Sequence, residues 1–170
     1  MVACGGTALT LMGHKESTQD VGFLVPRAGE YKRLVDFLKK AGYRQATQYG
    51  WRRESETILF DLYLGKRIYT TELLTSPLTR QGHRKWHEWN KIYVGILNPP
   101  DLIISKMFRG AEADIQDSLA LLAKEKVDLE KLKQRYRETA QYKIGEAKVL
   151  RNLNILLSRW QKEAVHEKRK

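Results

Sequence analysis

Apolar residues alternate in short runs through roughly the first hundred positions and recur at helical spacing through the rest. The clearest run is Thr57-Ile58-Leu59-Phe60-Asp61-Leu62-Tyr63-Leu64, closed by Gly65, which predicts a strand over 57–64. Positions 21–25 are apolar and stop at Pro26, a second strand. Ile92, Val94 and Ile96 alternate within a third, over 91–97. Shorter strands are expected over 2–4 and 43–49, with Gly50 as a turn and Trp51-Arg52-Arg53-Glu54 exposed. Between the first two runs, Tyr31, Leu34, Val35 and Leu38 share one face of a helix over 30–41, and Gly42 suits its C′ position. A short helix over 7–12 ends at Gly13. Residues 66–81 are of mixed polarity around Pro77 and predict loops with a short helical turn.

Asn98-Pro99-Pro100-Asp101 is a helix start, and Leu102, Ile103, Met107 and Phe108 give that helix an apolar face. Helices follow over 115–123 and 129–139, the second with Asp128 as N-cap. The longest covers 146–165, with Ala147, Leu150, Leu153, Leu157, Trp160 and Ala164 as its apolar stripe. Strands first and helices last predict an α+β protein, a small mixed β-sheet core followed by a C-terminal helical bundle. The expected division is an α/β core over 1–110 and a helical region over 111–170. No repeat or low-complexity segment interrupts this order.

Charge and cysteine content narrow the partners. Lys and Arg number 31 against 20 Asp and Glu, a net charge of +11, which favours an anionic partner such as nucleic acid or nucleotide. The same excess also serves solubility alone. Cys4 is the sole cysteine, so an internal disulfide and a cysteine-built zinc site are excluded, in keeping with a reducing, cytoplasmic setting. No apolar run reaches the roughly 20 residues a membrane span needs.

Candidate chemistry sits at a few places. Gly5 and Gly6 let the backbone turn tightly, and the helix that follows points free N–H groups at any phosphate held there. Thr18-Gln19-Asp20 then leads into the strand at 21–25. Asp61 is a lone carboxylate in an apolar strand. It is costly there unless hydrogen-bonded, paired or bound to a metal, or unless it lies on an edge strand facing solvent. His83 and His87 have the i, i+4 spacing of a helical metal site, but nothing completes one. Trp86 and Trp89 stand among Arg84, Lys85 and Lys91, where they stack on bases or pack a hairpin edge against the core. Lys106-Met107-Phe108-Arg109 is followed by Asp114 and Asp117, three residues apart on one helix face and able to fix Lys106 or Arg109. The C-terminal His166-Glu167-Lys168-Arg169-Lys170 reads as a frayed basic tail.

Two of these stretches carry a resemblance. Gly5-Gly6-Thr7 with Thr18-Gln19-Asp20, and Lys106, Arg109, Asp114 and Asp117, resemble the polymerase-β-like nucleotidyltransferases, and within them the AbiEii-like abortive-infection branch. The resemblance covers 5–25 and 98–122, supported by the strand around Asp61. It implies transfer of a nucleotide from an NTP to an RNA or protein acceptor, with Mg²⁺ or Mn²⁺ as cofactor and an antitoxin protein as partner. It assigns Asp20, Asp61 and Lys106 to catalysis and Asp20 and Asp61 to the metal. Nucleotide binding falls to Gly5, Gly6, Thr7, Lys106 and Arg109, with Asp114 and Asp117 in support. The family carries a second acid two residues after the first; here that position is Gly22. A lysine precedes the first aspartate of the pair there; here it is Ala113. Such proteins usually have a helix before the first strand, so an N-terminal element is expected to be missing. With one acid of three gone, a relative that binds nucleotide, RNA or a partner without turnover is the alternative.

Overall fold

The alternating runs become strands and the 3.6-periodic ones helices, nine and six of them among the described residues of the computed structural model. The backbone is described for residues 1–141 and 143–167, and side chains among these as far as 163. The expected basic tail and Ala164 therefore lie outside the described residues or side chains. The class is α+β. The chain divides into two compact units, Met1–Tyr69 with Thr75–Asn98, and Thr70–Leu74 with Pro99–Lys170.

The first unit is a seven-stranded mixed sheet. Its strands are β1 (Val2–Ala3), β2 (Asp20–Val25), β3 (Arg44–Gln45), β4 (Gly50–Arg52), β5 (Leu59–Leu64), β8 (His83–Glu88) and β9 (Tyr93–Leu97). Their order across the sheet is β3-β4-β5-β2-β1-β9-β8. Strand β2 runs parallel to β5 and antiparallel to β1, which in turn runs parallel to β9. Helices α1 (Gly5–Leu11) and α2 (Ala28–Lys40) complete this unit, together with the two-residue strand β6 (Arg67–Ile68).

Helix α2 lays its apolar stripe on one face of the sheet. Leu38, Trp51 and Leu62 form the buried centre there, with Phe23, Tyr31, Leu34, Val35, Tyr43 and Phe60 around them. The helix ends as a Schellman turn: the Gly42 amide donates to Lys39 O at 3.1 Å and the Tyr43 amide to Leu38 O at 2.9 Å. Gly42 takes φ +88°, a conformation that glycine adopts without strain. Here two expectations are corrected. Gly50 opens β4 rather than forming a turn, and Trp51 is buried, not exposed. A three-residue strand flanked by arginines is too short to show its period, so only the sheet reveals which side Trp51 faces.

Two further corrections lie nearby. Loops and an i→i+3 turn, the Thr79 amide on Ser76 O at 3.1 Å, occur over 66–81 as expected, but β6 and β7 (Thr71–Glu72) form there as well. His83 and His87 are on a strand, so their spacing is not that of a helical metal site. The His83 ring instead bridges Pro77 O at 2.6 Å and the Tyr93 hydroxyl at 2.7 Å.

The second unit is built around α3 (Pro99–Arg109), with α4 (Glu112–Lys124), α5 (Leu129–Ala140), α6 (Glu146–Glu167) and β7. Leu102, Ile103, Ile104, Met107 and Phe108 are all buried, so α3 is enclosed on most sides. Polar groups on it are satisfied. Asp101 accepts from Arg135 at 2.6 Å, and Phe108 packs edge-on to Tyr136, whose hydroxyl donates to Val149 O at 2.7 Å. Asp128 caps α5 as expected, accepting the Glu130 and Lys131 amides at 3.1 Å.

The apolar stripe of α6 is rotated from the expected one. Val149, Asn152, Leu153 and Leu156 are buried, while Ala147 is exposed. Three members were missed, the apolar Val149 and Leu156 and the polar Asn152. Asn152 Nδ2 donates to Met107 O at 2.8 Å, which satisfies both groups in the interior. Gly110 closes α3 at φ +70° directly beneath it, and a Cβ there would overlap the Asn152 amide. Gly110→Ala combines left-handed strain with loss of that hydrogen bond. It is expected to cost about 2–4 kcal/mol, read as a lowered midpoint in urea unfolding.

Candidate functional site

The first unit collects Gly5, Gly6, Thr7, Asp20 and Asp61. Strand β1 stops at Ala3, so the edge of β2 beyond it has no strand to bond. Thr7 fills that place: its hydroxyl donates to Asp20 O at 3.2 Å and accepts from the Gly22 amide at 2.8 Å. The Cys4 amide donates to Gly22 O at 3.0 Å. The start of α1 is thereby tied to the two positions of the acidic motif. Thr18 donates to the same Asp20 carbonyl at 3.0 Å. A Cβ on Gly6 would overlap the Thr18 hydroxyl, so glycine is required for this approach. Helix α1 starts at Gly5, two residues earlier than its periodicity predicts, and Gly5 itself takes φ +57°, a conformation open to glycine.

Register then brings the acids to one face. Gly22 pairs with Asp61 and Asp20 with Leu59 in the parallel β2–β5 ladder. Side chains alternate along a strand, so Asp20, Gly22 and Asp61 all lie opposite the α2 face occupied by Phe23 and Leu62. Asp20 is offset from Asp61 by one strand and two residues, about 8 Å between Cα atoms. The two differ in setting. Asp20 opens β2 exposed to solvent, whereas Asp61 is 5% exposed.

Asp61 is hydrogen-bonded rather than solvent-facing. Its Oδ2 accepts from the Tyr69 hydroxyl at 2.8 Å and the Tyr63 hydroxyl at 3.3 Å. Burial pushes the Tyr63 hydroxyl far above its ordinary pKa, aided by its bond with Tyr69 and by the Asp61 charge, so it remains a donor. Tyr49, Tyr63 and Tyr69 pack mutually at 5.0–5.6 Å between centroids. Tyr69 does this at φ +50°, in the left-handed region. Sequence reasoning missed these tyrosines. Tyr63 was recoverable, since i and i+2 of a strand share a face. Tyr69 was not, because its reach depends on an unusual backbone angle.

Among the described residues no group of three or more His, Cys, Asp or Glu side chains is placed to hold a metal ion. Mg²⁺ commonly takes one or two protein carboxylates and completes its shell with water and substrate phosphates. The exposed Asp20, beside the Gly5-Gly6 turn, meets that requirement. Asp61 would first have to exchange a tyrosine hydroxyl for the ion. The residues therefore fit one ion delivered with a triphosphate, and not a pair of ions held by protein acids alone.

The second unit collects Lys106, Arg109, Asp114 and Asp117. Lys106, only 5% exposed, donates to Asp117 at 2.7 Å, and its ammonium lies 3.8 Å from Asp114. Asp114, 1% exposed, accepts from Arg109 Nε at 2.7 Å and Nη2 at 2.5 Å. It also accepts the Ala111 amide at 3.1 Å, at the start of α4. The two carboxylates fix both cations, the lysine inside and the arginine toward solvent. This leaves Lys106 enclosed between acids rather than extended toward a ligand.

No curated protein matches the chain. No helix among the described residues is long and apolar enough to cross a membrane. Residues 86–168, just under half of the chain, match the model of a family described as a nucleotidyltransferase of unknown function (DUF6036). That segment contains the Lys106, Arg109, Asp114 and Asp117 cluster but not Gly5, Gly6, Asp20 or Asp61. The match supports a nucleotidyltransferase-like protein.

Proposed function

We propose that the first unit carries a nucleotidyltransferase-type site, transferring a nucleotide from an NTP to an RNA or protein acceptor. The observation that carries this reading is the convergence of Asp20, Gly22 and Asp61 on one sheet face, beside the Gly5-Gly6 turn. In it, Gly5, Gly6 and Thr7 offer backbone amides and a bare surface to the triphosphate, and Asp20 holds Mg²⁺ or Mn²⁺. Such an ion, when bound, neutralises charge on the phosphate oxygens. Thr7 positions Asp20 by pinning the carbonyl of the same residue. In the second unit Lys106 is fixed by its two carboxylates, and Arg109, 57% exposed, is the cation of that cluster that faces solvent. A toxin of a toxin–antitoxin pair in the AbiEii-like branch is the finer form of this reading and rests on the motif resemblance.

A second reading has its own support. Gly22 leaves the acid opposite Asp61 missing, and tyrosine hydroxyls occupy Asp61. Both favour a protein that binds nucleotide without turnover. Incubation with each α-labelled NTP, Mn²⁺ and total RNA separates the two. Transfer that Asp20→Ala reduces at least 100-fold supports catalysis, a loss on the scale of one electrostatic contribution at a reacting phosphate. Triphosphate binding that is weakened by Asp20→Ala, with no label transferred, supports the second reading.

A further inference from the structure

The outer edge of the seven-stranded sheet carries an aromatic surface that the nucleotide site does not use. Strand β8 is terminal in the sheet order, and its pairing with β9 shifts register between Lys85 and His87. A bulge of this kind sets neighbouring side chains on the same side of a strand and bends its edge. Here it brings the consecutive rings of Trp86 and His87 to 5.9 Å. The hairpin turn, closed by the Trp89 amide on Ile92 O at 2.8 Å, adds Trp89 at 6.0 Å from Trp86 and 4.1 Å from His87. These are not core tryptophans. Trp86 is 45% and Trp89 49% exposed, whereas Trp51 is buried.

Charge says what such a surface suits. Residues 80–92 hold Arg80, Arg84, Lys85 and Lys91 against Glu88 alone, in a chain of net charge +11. Glu88 pairs with Lys85 at 2.5 Å. Protein-binding cores are depleted of charge, but here cations interleave with the rings. The bulge also disfavours adding a strand from a second copy. Stacked rings flanked by cations are the elements that hold unpaired bases and their phosphates. We infer that the β8–β9 edge binds single-stranded nucleic acid, with bases stacked on Trp86 and Trp89 and phosphates met by Arg84 and Lys91. This deepens the nucleotidyltransferase reading by naming the acceptor as a polynucleotide, and rests on it only for that role.

Binding is measured without triphosphate, so its failure is distinct from failure of transfer. A fluorescein-labelled RNA of roughly 12 nucleotides, the same sequence as DNA, and the RNA duplex are titrated by anisotropy. Single strands are expected to bind tighter than duplex. Trp86→Ala and Trp89→Ala are each expected to weaken that binding by about 5- to 100-fold, while Trp→Phe retains most of it. Lys91→Ala is expected to lower the salt dependence by about 0.7 in log–log slope. Tighter binding of RNA than DNA identifies RNA as the source, and the reverse identifies DNA. Both tryptophans are exposed, so thermal melts of the variants are expected to match the parent. The inference is overturned if neither single strand binds, or if the double alanine variant binds them unchanged. It is equally overturned if the alanines change only self-association in sedimentation, which would assign the surface to a second copy.

Discussion

Gly22→Asp is expected to raise nucleotidyl transfer about a hundred- to thousandfold over the parent chain. Gly22 stands directly across from Asp61 in the parallel ladder, on the face shared with Asp20. The position has room. An added Cβ would lie 3.5 Å from Cys4 O and Sγ and 4.0 Å from a Tyr63 ring carbon, ordinary van der Waals contact. An aspartate there would thus place its Cβ without moving the sheet and add the missing acid to this face. Its effect on rate is that of one well-placed electrostatic contribution to a charged transition state. The substitution has a second consequence that needs no turnover. Two acids about 5 Å apart on a buried face repel each other. In chelator the variant is therefore expected to melt below the parent. Mg²⁺ is expected to reverse the difference, stabilising by about 2.7 kcal/mol at a hundredfold excess over its dissociation constant. If Mg²⁺ shifts the variant's melting no more than the parent's, the face is not an ion site and the catalytic reading fails with it.

Asp114→Ala is expected to destabilise the second unit by about 3–5 kcal/mol, more than any exposed ion pair in the chain. The carboxylate accepts from Nε and Nη2 of Arg109 and from the Ala111 amide, and lies 3.8 Å from the Lys106 ammonium. Removing it leaves Lys106 enclosed with Asp117 alone, releases Arg109, and strips the first turn of α4 of an acceptor. Breaking a buried charge pair is costly because the remaining charge stays out of water. Asp114→Asn keeps an acceptor for Ala111 and is expected to fall between the parent and alanine. Glu130→Ala is the control. It removes the exposed pair with Lys133 and is expected to cost no more than about 1 kcal/mol. Urea unfolding followed by far-ultraviolet circular dichroism reads the helices. A loss for Asp114→Ala no greater than for Glu130→Ala would show that the cluster is not structural.

Much of this was legible along the chain, for a consistent reason. Asp20, Gly22 and Asp61 could be placed on strands because alternation and the stops at Pro26 and Gly65 are local. The shared face of Asp114 and Asp117 was legible because helical spacing is regular, and their pairing with Lys106 and Arg109 because opposite charges stand a few residues apart on either side of Gly110. Positions read less well where few residues carry the period. Trp51 lies in a strand of three residues, and the stripe of α6 was misplaced because Leu150 and Leu157 stand beside the buried Val149 and Leu156, while polar Asn152 hides part of the true stripe. His83 and His87 fit a helical spacing and a strand equally until β9 supplied a partner.

The sequence alone determined the class, the order of elements, the excess of positive charge and the absence of an acid at position 22, since each is a property of composition or local periodicity. Only the tertiary structure decided what those residues meet. Parallel register set Gly22 against Asp61, because strand pairing is not encoded in either strand by itself. A tyrosine at φ +50° and another two residues from Asp61 turned a costly buried carboxylate into a satisfied one. A one-residue bulge gathered Trp86, His87 and Trp89 onto one side of the sheet edge. Each depends on contacts between residues whose positions are fixed by other parts of the fold, and no local pattern carries that information.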